Sequence, residues 1–158
     1  DKIKMDVLEI QLPEEVQNLT EGSLFDNDGL ISDNMLSKYL AYNPEIIRIY
    51  GLAMADLKKK KRELELTIRR FESRLDRARA NIVLKIDPGV YKNESMREAK
   101  VLMDEEYQSI QKEIFHLQED LIELDSDIDE LSETYWKHKG MQSSLDAMTK
   151  LRLSERHY

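Results

Sequence analysis

Apolar residues in the second half of the chain recur with gaps that alternate between four and three residues. This alternation is the repeat of a coiled-coil seam, in which one face of a helix packs against a partner helix. The members of the run are Met103, Tyr107, Ile110, Ile114, Leu117, Leu121, Leu124, Ile128, Leu131 and Tyr135. Because the run covers more than four heptads, it predicts a long helix that pairs with another helix.

A second seam lies upstream and has almost the same spacing. Its members are Ile46, Tyr50, Ala53, Leu57, Leu64, Ile68, Phe71, Leu75, Ala78 and Ile82. The spacing slips by one residue between Leu57 and Leu64, where lysines occupy positions 58–61. We expect a lysine cluster at such a discontinuity to pack poorly against the partner helix.

The two seams together predict an all-α fold dominated by a long antiparallel helical hairpin, which is a coiled coil. A short N-terminal helix and a C-terminal helical segment complete this predicted fold. Since a long hairpin is not compact, we expect an oligomer in which other copies of the chain complete the core. The predicted regions are an irregular N-terminal arm at 1–31 and a helical-hairpin domain at 32–158.

Capping residues predict where the first helices begin. Ser32 is a suitable N-cap for a short helix at 32–42. Asn43 followed by Pro44 is typical of a helix start, because asparagine caps well and proline suits the first helical position. We therefore predict a separate long helix at 44–85.

Turn residues predict the next connection. A turn at 86–93 is expected around the Asp-Pro-Gly sequence that begins at Asp87. A second long helix at 94–139 then follows, and it begins either at Asn93 or at a capping box that starts at Ser95.

Gly140 directly follows three basic residues, and basic residues before a glycine are typical of a helix end. We predict a break or bend there, followed by a C-terminal helix at 143–153. The competing interpretation is one continuous helix in which the glycine costs about 1 kcal/mol.

Composition narrows the classes of function. The 158 residues include no cysteine, which excludes disulfides and thiolate metal sites and fits a reducing compartment. Neither a membrane span nor a signal peptide is recognisable, so we expect a cytoplasmic protein that has no membrane partner. The three histidines show no catalytic or metal-binding spacing, and no glycine-rich nucleotide motif is present. We therefore expect neither an enzyme nor a cofactor.

The net charge of -8 conceals a strong segregation of charge. Residues 58–85 carry 11 basic and four acidic side chains, whereas residues 86–135 carry four and 15. Most arginines of the first segment fall at heptad positions that point away from the seam, where they are accessible to an external anion. The candidate nucleic-acid-binding residues are Lys58, Lys59, Lys60, Lys61, Arg62, Arg69, Arg70, Arg74 and Arg77. Several point charges along one helix suit a phosphate backbone, but a solvated charged face explains the same pattern.

Aromatic residues add one further candidate site. Tyr50 and Tyr135 occupy seam positions, so we expect them in the core. Trp136 lies beside the seam next to Lys137 and Lys139, and we expect it to be exposed or interfacial. These three residues form a candidate stacking and secondary basic site for a nucleic-acid strand.

Apolar residues on and beside the second seam are the candidates for oligomerisation. Phe115 and Ile122 share one heptad position outside the seam, which widens the apolar stripe. The full set of expected contact residues is Ile114, Phe115, Leu121, Ile122, Ile128, Met141, Leu145 and Met148.

Three sequence features resemble one protein family. They are the Met-Leu-Ser-Lys-Tyr-Leu segment at 35–40, the lysine-rich first long helix, and the Lys-His-Lys-Gly-Met segment at 137–141, which Leu-Asp-Ala-Met follows at 145–148. In this order they resemble the UvsY-type recombination mediators of tailed phages. The resemblance implies a ring-forming homo-oligomer that binds single-stranded DNA and helps a RecA-like recombinase displace the single-strand-binding protein. It places the DNA-binding stretch on residues 58–62.

A structural role is the alternative hypothesis. A coiled-coil scaffold, adaptor or holdase that binds no nucleic acid would use the same charges only for assembly and solubility. Loss of DNA retention with rising salt would favour the recombination mediator.

Overall fold

The computed structural model describes residues 32–156. This part of the chain consists of three helices joined by short connections: α1 at Asp33–Lys85, α2 at Glu94–Leu102 and α3 at Glu105–Glu155. The prediction of an all-α fold is confirmed for these residues. The irregular arm predicted at 1–31 lies outside the described residues.

The described residues form two compact units. Unit 1 contains the residues up to Lys58 and those from Ser126 onwards, and unit 2 is Lys59–Asp125. Both long helices therefore contribute residues to each unit.

Unit 1 has its own apolar core between α1 and α3. Leu36, Tyr39 and Ile46 of α1 are buried together with Met141 and Leu145 of α3. Partly buried neighbours complete this cluster, and they are Met35, Leu40, Tyr42, Ile49, Tyr50 and Met148. The α1 residues Leu36, Tyr39 and Ile46 lie on one helix face, since side chains three or four residues apart share a face.

The predicted boundary between two helices at Asn43 and Pro44 is wrong. The residue Ser32 does cap α1, because its Oγ accepts a hydrogen bond from the Met35 amide at 3.1 Å. The helix then runs through Pro44 without interruption. A proline inside a helix costs on the order of 3 kcal/mol. This cost is offset because a continuous helix keeps Tyr39 and Ile46, on either side of Pro44, in the same apolar core.

The predicted break at Gly140 is also wrong, and the competing interpretation of a continuous helix is correct. Helix α3 continues to Glu155, so no separate helix exists at 143–153. His138, Met141 and Leu145 are buried at helical spacing around the glycine. Burying this face of α3 outweighs the poor helix propensity of one glycine, which is about 1 kcal/mol.

Unit 2 buries a second apolar core. Tyr107, Ile110 and Ile114 of α3 pack with Ala78 of α1 and Val101 of α2. Phe71, Leu75 and Ile82 cover the same cluster from α1. Most of the unit's predicted seam therefore faces inward.

The connections of unit 2 are only partly as predicted. The turn at 86–93 is confirmed, and Asp87 Oδ1 accepts a hydrogen bond from the Gly89 amide at 2.8 Å. Asn93 caps α2 through a 2.8 Å hydrogen bond from the Met96 amide. The single helix predicted at 94–139 is wrong, because α2 ends at Leu102 and α3 begins at Glu105.

Asp104 explains the interruption between α2 and α3. Its Oδ1 accepts a hydrogen bond from the Tyr107 amide at 2.9 Å, which is N-cap geometry. Met103, the predicted first member of the seam, lies at this junction and is 75% exposed. The buried part of the seam therefore begins at Tyr107.

Gly51 allows α1 and α3 to approach closely in unit 1. An ideal Cβ at Gly51 would lie 3.3 Å from Cε2 of Tyr135. That separation is tighter than ordinary van der Waals contact, so any side chain at this position would displace the tyrosine ring.

Candidate nucleic-acid interface

A continuous basic face runs along α1 within unit 2. Five of the predicted binding residues lie on it and are exposed; we call this set the basic strip, and it consists of Lys59, Arg62, Arg69, Arg70 and Arg77. The core contacts of α1 in this unit, such as Ile68 and Ala78, fall on the opposite side of the helix. The strip is therefore presented to solvent.

The spacing of the basic strip is regular. Arg62, Arg69 and Arg77 are separated by seven and eight residues, which is about two helical turns. From Lys59 to Arg77 the strip extends about 27 Å. Leu66 and Ser73 lie within the strip and carry no charge, whereas the exposed acidic residues Glu63 and Asp76 border it on its two sides. The arrangement is a line of cations on a rigid support, which suits an extended polyanion.

One of the predicted lysines contacts α3 instead. Lys60 and Lys61 are both partly buried, and Nζ of Lys61 lies 2.6 Å from Oδ1 of Asp125 in α3. The expectation that the whole lysine cluster packs poorly is therefore wrong for Lys61. The sequence does not indicate this pair, because Asp125 lies far from Lys61 in the chain and only the register of the two helices brings it close.

The remaining predicted cations differ in their surroundings. Lys58 is exposed and belongs to unit 1. Arg74 is exposed, and its guanidinium carbon lies 5.0 Å from the ring centroid of Phe71, which is a cation–π contact. Nε of Arg77 donates a 3.4 Å hydrogen bond to the Ser73 carbonyl, which orients its guanidinium along the strip.

Trp136 is exposed, as expected from the sequence. Its side chain is 63% accessible and belongs to unit 1. It stands edge-on to Tyr135, with the ring centroids 5.2 Å apart. Nζ of Lys139 lies 5.7 Å from the Tyr135 ring centroid, and Lys137 is exposed beside it. Trp136 and Lys139, three residues apart, therefore share one face of α3, and Lys137 lies about 100° around the helix from the indole.

The structure separates the predicted oligomerisation residues into three groups by their burial. Four of them are buried within the chain's own units: Ile114, Ile128, Met141 and Leu145. Leu121 and Met148 are partly buried. Only Phe115 and Ile122 are largely exposed, at 59% and 71%. Within residues 32–156, these two side chains, one heptad apart on α3, are the members of this set that do not contribute to a core.

A buried polar cluster in unit 1 was not predicted. Asn43 and His138 are both inaccessible to solvent. Nδ1 of His138 lies 2.7 Å from Oδ1 of Asn43, and the Asn43 amide nitrogen donates to the His138 carbonyl at 3.0 Å and to Oε1 of Gln142 at 2.9 Å. Among the described residues, Nε2 of His138 has no hydrogen-bond partner. The alternating seam, continued by three residues from Tyr135, would have indicated His138.

This environment determines the charge state of His138. Burial, and then the positive charge of Lys137, lowers the pKa of the His138 imidazole. The neutral ring is therefore the form that the folded unit accommodates, because a buried positive charge is poorly solvated.

Unit 1 should accordingly lose stability in mild acid. The pKa of His138 is lower in the folded protein than the value of about 6.5 expected in the unfolded chain. The unfolded chain therefore binds the proton more tightly, and stability falls as the pH drops from about 6.5 through the folded-state pKa. Urea unfolding of the wild-type protein at about pH 7.5 and about pH 5.5 measures this change.

Two variants identify the residue responsible. Replacing His138 with Leu should reduce the loss of stability between the two pH values, whereas His116→Gln, at an exposed histidine of the same helix, should leave it unchanged. An equal loss in the His138 variant would show that other groups cause it.

No protein-family model, curated protein or solved structure matches the chain. Within residues 32–156, no cluster of histidine, aspartate and glutamate side chains is arranged to hold a metal ion. The helices of this part of the chain also include none that is both long and apolar enough to cross a membrane.

Proposed function

We propose that this protein binds single-stranded DNA through the basic strip of α1, without catalysing a reaction. The observation that carries the proposal is the exposure of Lys59, Arg62, Arg69, Arg70 and Arg77 on one face of a single helix. Each cation that neutralises a phosphate releases a counterion, which favours binding independently of base sequence. Because the contacts of the strip are with phosphates, the proposed binding is electrostatic.

Oligomerisation strengthens this contact in the proposed mechanism. One strip makes only a few phosphate contacts, whereas several linked copies bind the same strand with a much higher effective concentration. The proposed protomer is an antiparallel hairpin of α1 and α3, and the proposed assembly is a ring-forming homo-oligomer. The exposure of Phe115 and Ile122 on α3 supports a contact between copies.

The biological role that we propose is recombination mediation. By resemblance to the UvsY-type family, the DNA-bound protein would help a RecA-like recombinase replace the single-strand-binding protein in the cytoplasm of a phage-infected host. The acidic segment 86–135 supports contacts with basic surfaces of such partners, since charge complementarity steers association. The partners themselves would supply any nucleotide-driven step.

Neighbouring residues of α1 provide a sharp test of the DNA-binding surface. Arg62→Ala should weaken binding of a thymidine oligomer about threefold to tenfold and lower the salt slope by about one, because it removes one phosphate contact. Lys61→Ala should have a smaller effect, since its ammonium group contacts Asp125. Fluorescence anisotropy of a labelled oligomer at several salt concentrations measures both values. A larger effect of Lys61→Ala would place the binding surface elsewhere.

A further inference from the structure

Trp136 is the only tryptophan of the chain, and 63% of its side chain is exposed on α3 in unit 1. Tyr135, the residue before Trp136, is partly buried, and His138, two residues after Trp136, is fully buried. The indole therefore lies outside the contact between α1 and α3 and does not contribute to the core. An exposed indole offers a large, rigid aromatic surface to a ligand.

Gly140 leaves the space beside Trp136 open. Side chains of a helix lean toward its N-terminus, so a residue at 140 would cover the indole one turn earlier. An ideal Cβ at Gly140 meets no atom within 4 Å. Packing within the described chain therefore does not require a glycine here, although glycine is a poor helix former. The glycine places no side chain at the position one turn after Trp136, where a long side chain could lie over the indole.

The charge around this surface is uneven. Lys137 and Lys139 flank the indole, and Lys139 reaches back over the ring of Tyr135. Glu133, one turn before Trp136, is exposed and acidic. Beyond Trp136, residues 137–156 carry five basic and two acidic side chains. A ligand that combines an aromatic ring with a phosphate is therefore favoured on the Gly140 side.

We propose that an unpaired nucleobase stacks on Trp136 in the space left by Gly140, while its phosphates lie near Lys137 and Lys139. This inference rests on the proposed DNA-binding function and adds to it a preference for single strands. Base stacking on aromatic side chains tolerates any sequence, because every base has a π face. A base inside a duplex is already stacked and paired, so only an unpaired strand offers this face.

Tryptophan fluorescence tests the stacking directly, because Trp136 is the only tryptophan in the sequence and all tryptophan emission comes from it. The probes are a thymidine oligomer and an abasic oligomer of equal length, which has the same phosphates but no bases. The thymidine oligomer should quench the emission at saturation, and the abasic oligomer should bind without comparable quenching. Labelled forms of both oligomers give the affinities by anisotropy, and circular dichroism confirms that each variant is folded.

Three variants define the site. Trp136→Ala should weaken binding of the thymidine oligomer at least about fivefold and leave the abasic oligomer unaffected. Gly140→Leu retains Trp136 as the fluorescent reporter and introduces a good helix former whose side chain should cover the indole. It should therefore reduce both the quenching and the affinity for the thymidine oligomer. Leu151→Ala removes an equally exposed apolar side chain from the same helix and should change neither.

The other outcomes overturn the inference in distinguishable ways. If both oligomers bind alike and neither quenches the emission, the stacking site is wrong but the proposed DNA binding is retained. If Trp136→Ala lowers both affinities equally and also reduces the mass measured by light scattering, Trp136 is a contact between copies of the chain. If neither oligomer binds at low salt, the proposed function and this site both fail.

Discussion

Reversing three arginines of the basic strip, as Arg62→Glu, Arg69→Glu and Arg77→Glu, is expected to abolish binding of a thymidine oligomer. All three side chains are exposed and point away from the core of unit 2, so helix content and unfolding midpoint should remain near those of the wild type. Removing three phosphate contacts and adding three repelling charges should reduce the affinity by about 100-fold or more. Anisotropy with a labelled oligomer measures the affinity, and circular dichroism measures the helix content.

A matched variant distinguishes the effect of the basic strip on binding from the effect of net charge. Lys38→Glu, Lys92→Glu and Lys112→Glu change the charge by the same amount at exposed positions outside the strip. This variant should bind within about fivefold of the wild type, because only long-range repulsion changes. Equal losses in the two triple variants would mean that total charge, rather than the α1 surface, governs binding.

Asn43→Ala is expected to cause a large loss of stability for a substitution at a polar residue. The Asn43 side chain makes three hydrogen bonds in a fully buried site, and alanine would leave the His138 ring and carbonyl without these partners. Leaving buried polar groups unpaired costs about 1 to 3 kcal/mol each, so a total of about 2 to 4 kcal/mol is expected. Urea unfolding monitored by circular dichroism gives the change in the free energy of unfolding.

Two further variants show whether the hydrogen bonds are the cause. Asn81→Ala, the same substitution at an exposed position of α1, should change the free energy of unfolding by less than about 0.5 kcal/mol. Replacing both Asn43 and His138 with Leu should recover much of the loss, because it removes the two partners together. A cost for Asn43→Ala as small as that for Asn81→Ala would contradict the buried network.

Heptad spacing was the most informative part of the sequence. It predicted that residues such as Ile46, Leu57, Leu124 and Leu131 would be buried, and they are. This spacing also overrides local stop signals. In α1 it runs from Leu36 through Asn43, and in α3 it runs through His138 to Leu145. Local chemistry alone predicts helix boundaries at Pro44 and Gly140. A helix that buries residues on both sides of such a signal does not end there.

Other features could not be predicted from apolar spacing. The seam counts Met103 as a member, whereas Asp104 caps a new helix at that place and leaves Met103 exposed. The aspartate followed by two glutamates was an available signal for this helix start. The contact between Lys61 and Asp125 depends on the register of α1 against α3, which composition does not specify. The structure was therefore needed to show which cations remain exposed.

The most direct test of the account is the affinity of the wild-type protein for a thymidine oligomer as salt is raised. The proposed DNA binding predicts a clear affinity at low salt, whose logarithm falls linearly and steeply with the logarithm of salt concentration, since phosphate contacts release counterions. Absence of binding at every salt concentration would contradict it and would favour the structural coiled-coil module.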